Sequence, residues 1–196
     1  MTTVYTKTYP QMPFNKKEIL RYAGVSDNSR DIEKLIDECI LEVQDRLIYK
    51  ICYSEFDVEI YHNLINLGFM STTSKDLQKN LRDCKKIVLF GATIGLELDR
   101  LIARYGVISP VKALIFQAIG AERIESLCDC FNCEIKKKYN TTPRFSAGYG
   151  DFSIEAQREI FSALDCQRKI GLTLNDSLLM SPSKSVTAII GVKNEH

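Results

Sequence analysis

The sequence predicts an α+β fold, a mainly antiparallel sheet packed with helices, and three observations predict it. Segments of helical and strand character neither alternate strictly nor repeat at a fixed period, which argues against a parallel βαβ sheet or a solenoid. The longest apolar runs, residues 87–92 and 186–192, are strand-sized and far short of a membrane span. After about residue 140 the long periodic segments give way to turns and short strands.

Each element follows from a local pattern. Asn15 and Glu18 stand at capping-box spacing, so a short helix begins near residue 15. A stronger helix follows Ser26 and Ser29, where Ile32, Leu35, Ile36, Cys39, Ile40, Val43 and Leu47 recur at helical spacing with charges between them. Residues 49–61 are rich in β-branched and aromatic side chains and predict one or two strands. Residues 74–81 predict a short helix, 86–93 a buried strand and 96–105 a helix. Ser109-Pro110 starts another helix, with serine as cap and proline at the first helical position. That helix runs to Lys138, and its apolar stripe rotates after Gly120, which predicts a kink there. Beyond it, Thr142-Pro143 and Gly148-Tyr149-Gly150 are loop chemistry and residues 153–164 a helix. Residues 172–174 and 185–192 are strand candidates, separated by Ser181-Pro182-Ser183.

With 196 residues the chain is long enough to bury a core without staples, and nothing marks an internal boundary, so one domain over residues 1–196 is expected. A hydrophobic content of 45% with 26% charged residues excludes wholesale disorder. Lys+Arg of 26 against Asp+Glu of 25 gives a net charge of +1, so there is no global drive toward nucleic acid or a membrane. The run Lys136-Lys137-Lys138 reads as a solvated helix end, where cations complement the dipole. Seven cysteines, an odd number, favour a reducing compartment. MTTVYTKTYPQMPFN lacks an apolar run, so no signal peptide is read there and a soluble, cytoplasmic protein is expected.

Most candidate chemistry is better explained as structure. Cys128, Cys130 and Cys133 suggest a metal cluster, but on a helix turning about 100° per residue the first two point to nearly opposite sides. A fourth ligand is also wanting, because the histidines are His62 and His196 alone. Thiols packed in or near the core are the better reading, and no metal is expected. Gly91-Ala92-Thr93-Ile94-Gly95 lies between a strand and a helix, yet lacks the full fingerprint of a dinucleotide or phosphate loop. No nucleophile elbow accompanies any serine, and His62 reads as an ordinary strand-end residue. Glu97 and Asp99 fall on a charge-rich helix and read as a solvated face.

The segment Pro143-Arg144-Phe145-Ser146-Ala147-Gly148-Tyr149-Gly150-Asp151 differs in kind. Arg144 offers a planar fork that grips a carboxylate through two parallel bonds. Gly148 permits close approach and positive φ, and Tyr149 brings an aromatic face and a hydroxyl. The competing explanation is an arginine–acid surface pair with a tyrosine plugging the core beneath a glycine turn. Asp151 reads as a cap for the helix that follows.

The pattern Arg-x-x-x-Gly-Tyr, followed at once by a helix, resembles the S-adenosylmethionine motif of the cobalamin-dependent methionine synthase activation domain. Two further pieces agree in order. Ala121-Glu122-Arg123-Ile124-Glu125-Ser126 stands where the family has the helix leading into the motif. Downstream, Lys169-Ile170-Gly171-Leu172 and Ser181-Pro182-Ser183-Lys184-Ser185-Val186 resemble the family's strand pair. The match covers roughly residues 115–192, and the N-terminal half agrees only in its order of elements.

The resemblance implies a single-domain, stand-alone member that binds S-adenosylmethionine and presents its methyl to cobalamin carried by a partner. The partner would be a corrinoid-bearing methionine synthase whose inert cob(II)alamin is reduced by a flavodoxin- or ferredoxin-type donor and then methylated. Cobalt is the nucleophile, so such a module needs no catalytic residue of its own, only positioning and electrostatic fit. By the same resemblance Arg144 would hold the ligand carboxylate. Gly148 would allow close approach, Tyr149 would pack near the methionine or sulfonium part, and Ala147 and its backbone would serve adenine or ribose. Lys136, Lys137 and Lys138 occupy the region where typical members place an acidic residue, and longer members add contacts beyond the last strand. Both departures imply a site that is remodelled or completed by a partner. Two alternatives stay open: an activator or methyl-transfer component for another corrinoid protein, and a binding module that has lost its ligand.

Overall fold

In the computed structural model, which describes residues 3–25 and 29–193, two layers of helices enclose a four-stranded sheet. The chain opens with strand β1 (Tyr5–Tyr9), then helices α1 (Lys16–Tyr22) and α2 (Arg30–Val43). Asn15 caps α1 by accepting from the Glu18 amide, and Ser29 caps α2 by accepting from the Ile32 amide. Ser26, expected just before α2, lies outside the described residues. α2 stops four residues short of Leu47, and a 3-10 turn over Gln44–Arg46 leads into strand β2 (Tyr49–Asp57). A small antiparallel sheet follows, of β3 (Glu59–Tyr61), β4 (Leu64–Asn66) and β5 (Ser71–Thr72). His62 sits in the turn between the first two of these at φ 53°, where its carbonyl accepts from the Gln78 side chain.

Helix α3 (Lys75–Asn80) leads to the long strand β6 (Cys84–Thr93), and helices α4 (Glu97–Ile108) and α5 (Pro110–Lys138) come next. α5 is helical without interruption through Gly120. At Gly120 both α4 and the segment carrying Lys184 pass close: a Cβ there would lie 2.3 Å from Leu98 Cδ2 and 2.8 Å from Lys184 Cγ. Past the turn come a 3-10 turn over Ile154–Ala156, helices α6 (Gln157–Leu164) and α7 (Cys166–Ile170), strands β7 (Thr173–Leu174) and β8 (Met180–Ser181), and strand β9 (Ser185–Lys193).

The main sheet has the order β1-β2-β6-β9 and every pairing in it is antiparallel, as the sequence predicts. Strand periodicity divides the core between its faces. Val88, Phe90 and Ala92 of β6 join Ile190 and residues of α1, α2, α4 and α5 on one side. Ile87 and Leu89 join Ile189, Phe56 and residues of α3, α6 and α7 on the other. This double burial explains why residues 87–92 read as a continuous apolar run. Gly91 lies inside β6, facing Cys166 Sγ and Cys52 Sγ, so it belongs to packing and not to a phosphate turn. No described helix is long and apolar enough to cross a membrane.

Candidate functional site

The Arg144 motif is positioned by the free edge of β9. Thr141 and Phe145 form isolated antiparallel bridges to Val192 and Ile189, so residues 141–145 run beside β9 as an irregular fifth strand. The Phe145 amide donates to the Ile189 carbonyl at 2.9 Å, and the Ile189 amide returns a bond at 2.8 Å. On such a strand neighbouring side chains point to opposite faces. Phe145 packs toward the α6 side, its ring 6.3 Å from that of Phe152. Arg144 goes to the other face and meets α5, where Nη2 donates to Glu125 at 2.9 Å and to Asp129 at 3.0 Å.

The chain then turns tightly. The Gly148 amide donates to the Phe152 carbonyl at 2.8 Å, and the Tyr149 amide to the Ser146 carbonyl at 3.1 Å. Gly148 and Gly150 both take positive φ, 93° and 53°, which an L side chain rarely adopts. Gly150 has no room either: a Cβ there would lie 2.1 Å from Asp76 Oδ2. Asp151 departs from expectation. Its carboxylate accepts from the Ser74 hydroxyl and from the Lys75 and Asp76 amides, so it caps α3 across 75 residues or more. The helix after the motif is capped instead by Ser153, which accepts from the Glu155 amide. Those bonds from Ser74, Lys75 and Asp76 lower the Asp151 pKa below the usual carboxylate value.

A cavity of about 400 Å³ opens beside this turn. Arg144, Ala147 and Tyr149 line it, whereas Gly148 does not; its neighbour is Ile154, 3.2 Å from where a Cβ would be. Gly148 therefore serves the turn conformation. Glu125 of α5 forms another part of the wall, and Ser185 and Val186 at the start of β9 a third. Buried Gln157 and Thr187 add a polar patch already closed on itself, the threonine hydroxyl donating to the glutamine oxygen at 2.8 Å. Glu125, Gln157 and Thr187 carry no motif of their own, and only their placement by α5, α6 and β9 reveals them.

Charge in this cavity is paired but not saturated. Arg144 Nη1 is buried with no hydrogen-bond partner, although Nη2 holds two carboxylates. The Cys128 thiol lies beneath: burial pushes its pKa up to about 12, and the nearby Arg144 charge opposes that rise. Such a thiol stays protonated and inert. Cys128, Cys130 and Cys133 are buried, half-buried and exposed on one unbroken helix, as thiols of packing and surface. Glu97 pairs with Arg100, but Asp99 is more than a solvated face. It accepts from the Ser183 amide at 2.8 Å and from the Ser183 hydroxyl, fixing the turn that delivers Ser185. That turn contains the cis bond Ser181-Pro182.

A second and larger cavity, about 660 Å³, lies across Tyr149 from the first. Its wall is built from α3, the α3–β6 corner, residues 142–150 and the end of β9.

No protein-family model matches the chain, and no curated protein matches it in sequence. Among solved structures it is similar to a MetH reactivation domain bound to AdoHcy, with a TM-score of 0.69 and 13% identity over 99% of this chain and 79% of that one. At that identity the likeness is one of architecture. The chain thus has the α+β fold of a methionine synthase reactivation domain, an antiparallel sheet packed between helices.

Proposed function

We propose that the chain binds S-adenosylmethionine in the 400 Å³ cavity and supports reductive methylation of cobalamin carried by a separate corrinoid-bearing methionine synthase. One observation carries this reading: three segments far apart in sequence, each resembling the activation-domain family, meet at one cavity. They supply Glu125, the Arg144–Ala147–Tyr149 turn, and Ser185 with Val186. The chemistry suits an α-amino acid. The Arg144 guanidinium complements a carboxylate, and Glu125 beside it complements an ammonium, so a zwitterion can exchange for the Arg144–Glu125 pair. Tyr149 lends an aromatic face to the sulfonium. The solved neighbour binds AdoHcy, which differs from S-adenosylmethionine by the transferred methyl. The electron donor would be of the flavodoxin or ferredoxin type.

A second reading is that the fold is kept and the ligand lost. It is favoured by the two carboxylates that already hold Arg144. Calorimetric titration with S-adenosylmethionine decides between them. The first reading expects binding that weakens about 10- to 100-fold in Arg144→Ala, the usual range for losing charged hydrogen bonds. No heat with the unsubstituted protein would establish the second reading, and equal heat in Arg144→Ala would remove Arg144 from the site. Activation of a methionine synthase, against another corrinoid protein, identifies the partner.

A further inference from the structure

The larger cavity has a chemistry of its own. Its polar floor is internally satisfied: the Thr142 hydroxyl donates to Asn80 Oδ1 at 2.9 Å, and Asn80 Nδ2 donates to the Pro143 carbonyl at 3.1 Å. Asp76 is engaged by the Asp151 amide at 3.2 Å. Lys79 and Arg82 line the cavity from the end of α3 and the corner after it, and Lys193 from the end of β9; none forms a salt bridge among the described residues. Asp76, whose bond comes from a neutral amide, and Asp83 are the two carboxylates that oppose them in the lining. One wall is aromatic, with Phe145 and Tyr149 ring centroids 6.3 Å apart and Tyr149 66% exposed.

We propose that this 660 Å³ cavity is a separate binding site for a planar anionic ligand of the nucleotide class. The base stacks on the exposed Tyr149 ring, with the Phe145 ring, tilted by 55°, at its edge, and the phosphates lie against Lys79, Arg82 and Lys193. These three cations outnumber the two carboxylates of the lining, and among the described residues none of them is held in an ion pair, so the lining carries a net positive charge. Arg82 adds a fork suited to phosphate oxygens and the lysines add point charges. The volume falls within the usual range for small-molecule sites. This assignment does not rest on S-adenosylmethionine binding, since Arg144 is outside the larger cavity. Tyr149 lines both cavities.

The test is fluorescence anisotropy of N-methylanthraniloyl-ADP titrated with the full chain. Saturable binding is expected, competed by ADP at least tenfold better than by adenosine, and weakened about tenfold or more in Lys79→Glu/Arg82→Glu and by raised salt. Lys193→Gln, a milder change, should weaken it to a smaller extent, and Arg144→Ala should leave it unchanged. Absence of binding, or equal binding by the double variant with its melting temperature preserved, would overturn the proposal. So would displacement by S-adenosylmethionine together with loss in Arg144→Ala, because the nucleotide would then occupy the smaller cavity.

Discussion

Arg144 and Gly150 illustrate how differently two residues of one turn are constrained. Arg144 in its sequence context suits either a carboxylate grip or a pair with surface acids, and the structure contains the pair while leaving Nη1 without a hydrogen-bond partner. Neither Glu125 nor Asp129 is recognisable from spacing, being 19 and 15 residues away on a helix whose path relative to the turn only packing decides. Gly150 is governed by backbone and space together. Gly150→Ala should destabilise the protein by about 1–3 kcal/mol, since it combines positive φ with a contact against Asp76. Urea denaturation measures it, and an unchanged midpoint would mean that Asp76 moves aside freely.

At the scale of elements, the clearest case is the cap that joins α3 to the motif. Aspartate before a helix suggested a local cap, but Asp151 reaches α3 because the turn at Gly148 and Gly150 folds the chain back onto it. Its folded pKa is depressed, so its stabilisation is present above the unfolded value of about 3.9 and is lost as pH falls through the folded value. Asp151→Ala should therefore lower the melting temperature at neutral pH, and the gap to the unsubstituted protein should close as pH drops below about 4. A gap that persists at pH about 2 would show that the loss is steric. Long periodic elements were legible: α2, α5, β6 and β9 lie where the pattern put them. Strands β1, β4, β5 and β8 were not, because short or edge strands bury too little to impose alternation. Tyr5, Thr6, Lys7 and Thr8 are all exposed, leaving Tyr9 as the buried residue of β1.

For the molecule as a whole, the pair Glu122–Arg123 ties the first segment to the central helix. Arg123 is fully buried and donates to the carbonyls of Met12 at 2.6 Å and Pro13 at 2.8 Å, while Phe14 covers its guanidinium at 4.3 Å. Glu122 accepts from Arg123, Ser126 and the Asn15 amide. Arg123→Ala would strand a buried carboxylate and three backbone or hydroxyl partners, and should cost about 3–5 kcal/mol. Chemical denaturation gives the total, and hydrogen exchange should rise first over residues 12–15. A cost below about 1 kcal/mol would mean that water replaces the arginine.

The sequence by itself determined the α+β class, the long elements, and a turn whose arginine, glycines and tyrosine have ligand chemistry. Those follow from local periodicity, capping and backbone preference, which neighbours within a few residues decide. Tertiary structure alone decided that the turn lies along β9, that Glu125 and Asp129 meet Arg144, that Asp151 caps α3, and that Tyr149 separates two cavities. Each of these depends on which distant surfaces pack together, and no spacing within a single segment encodes that.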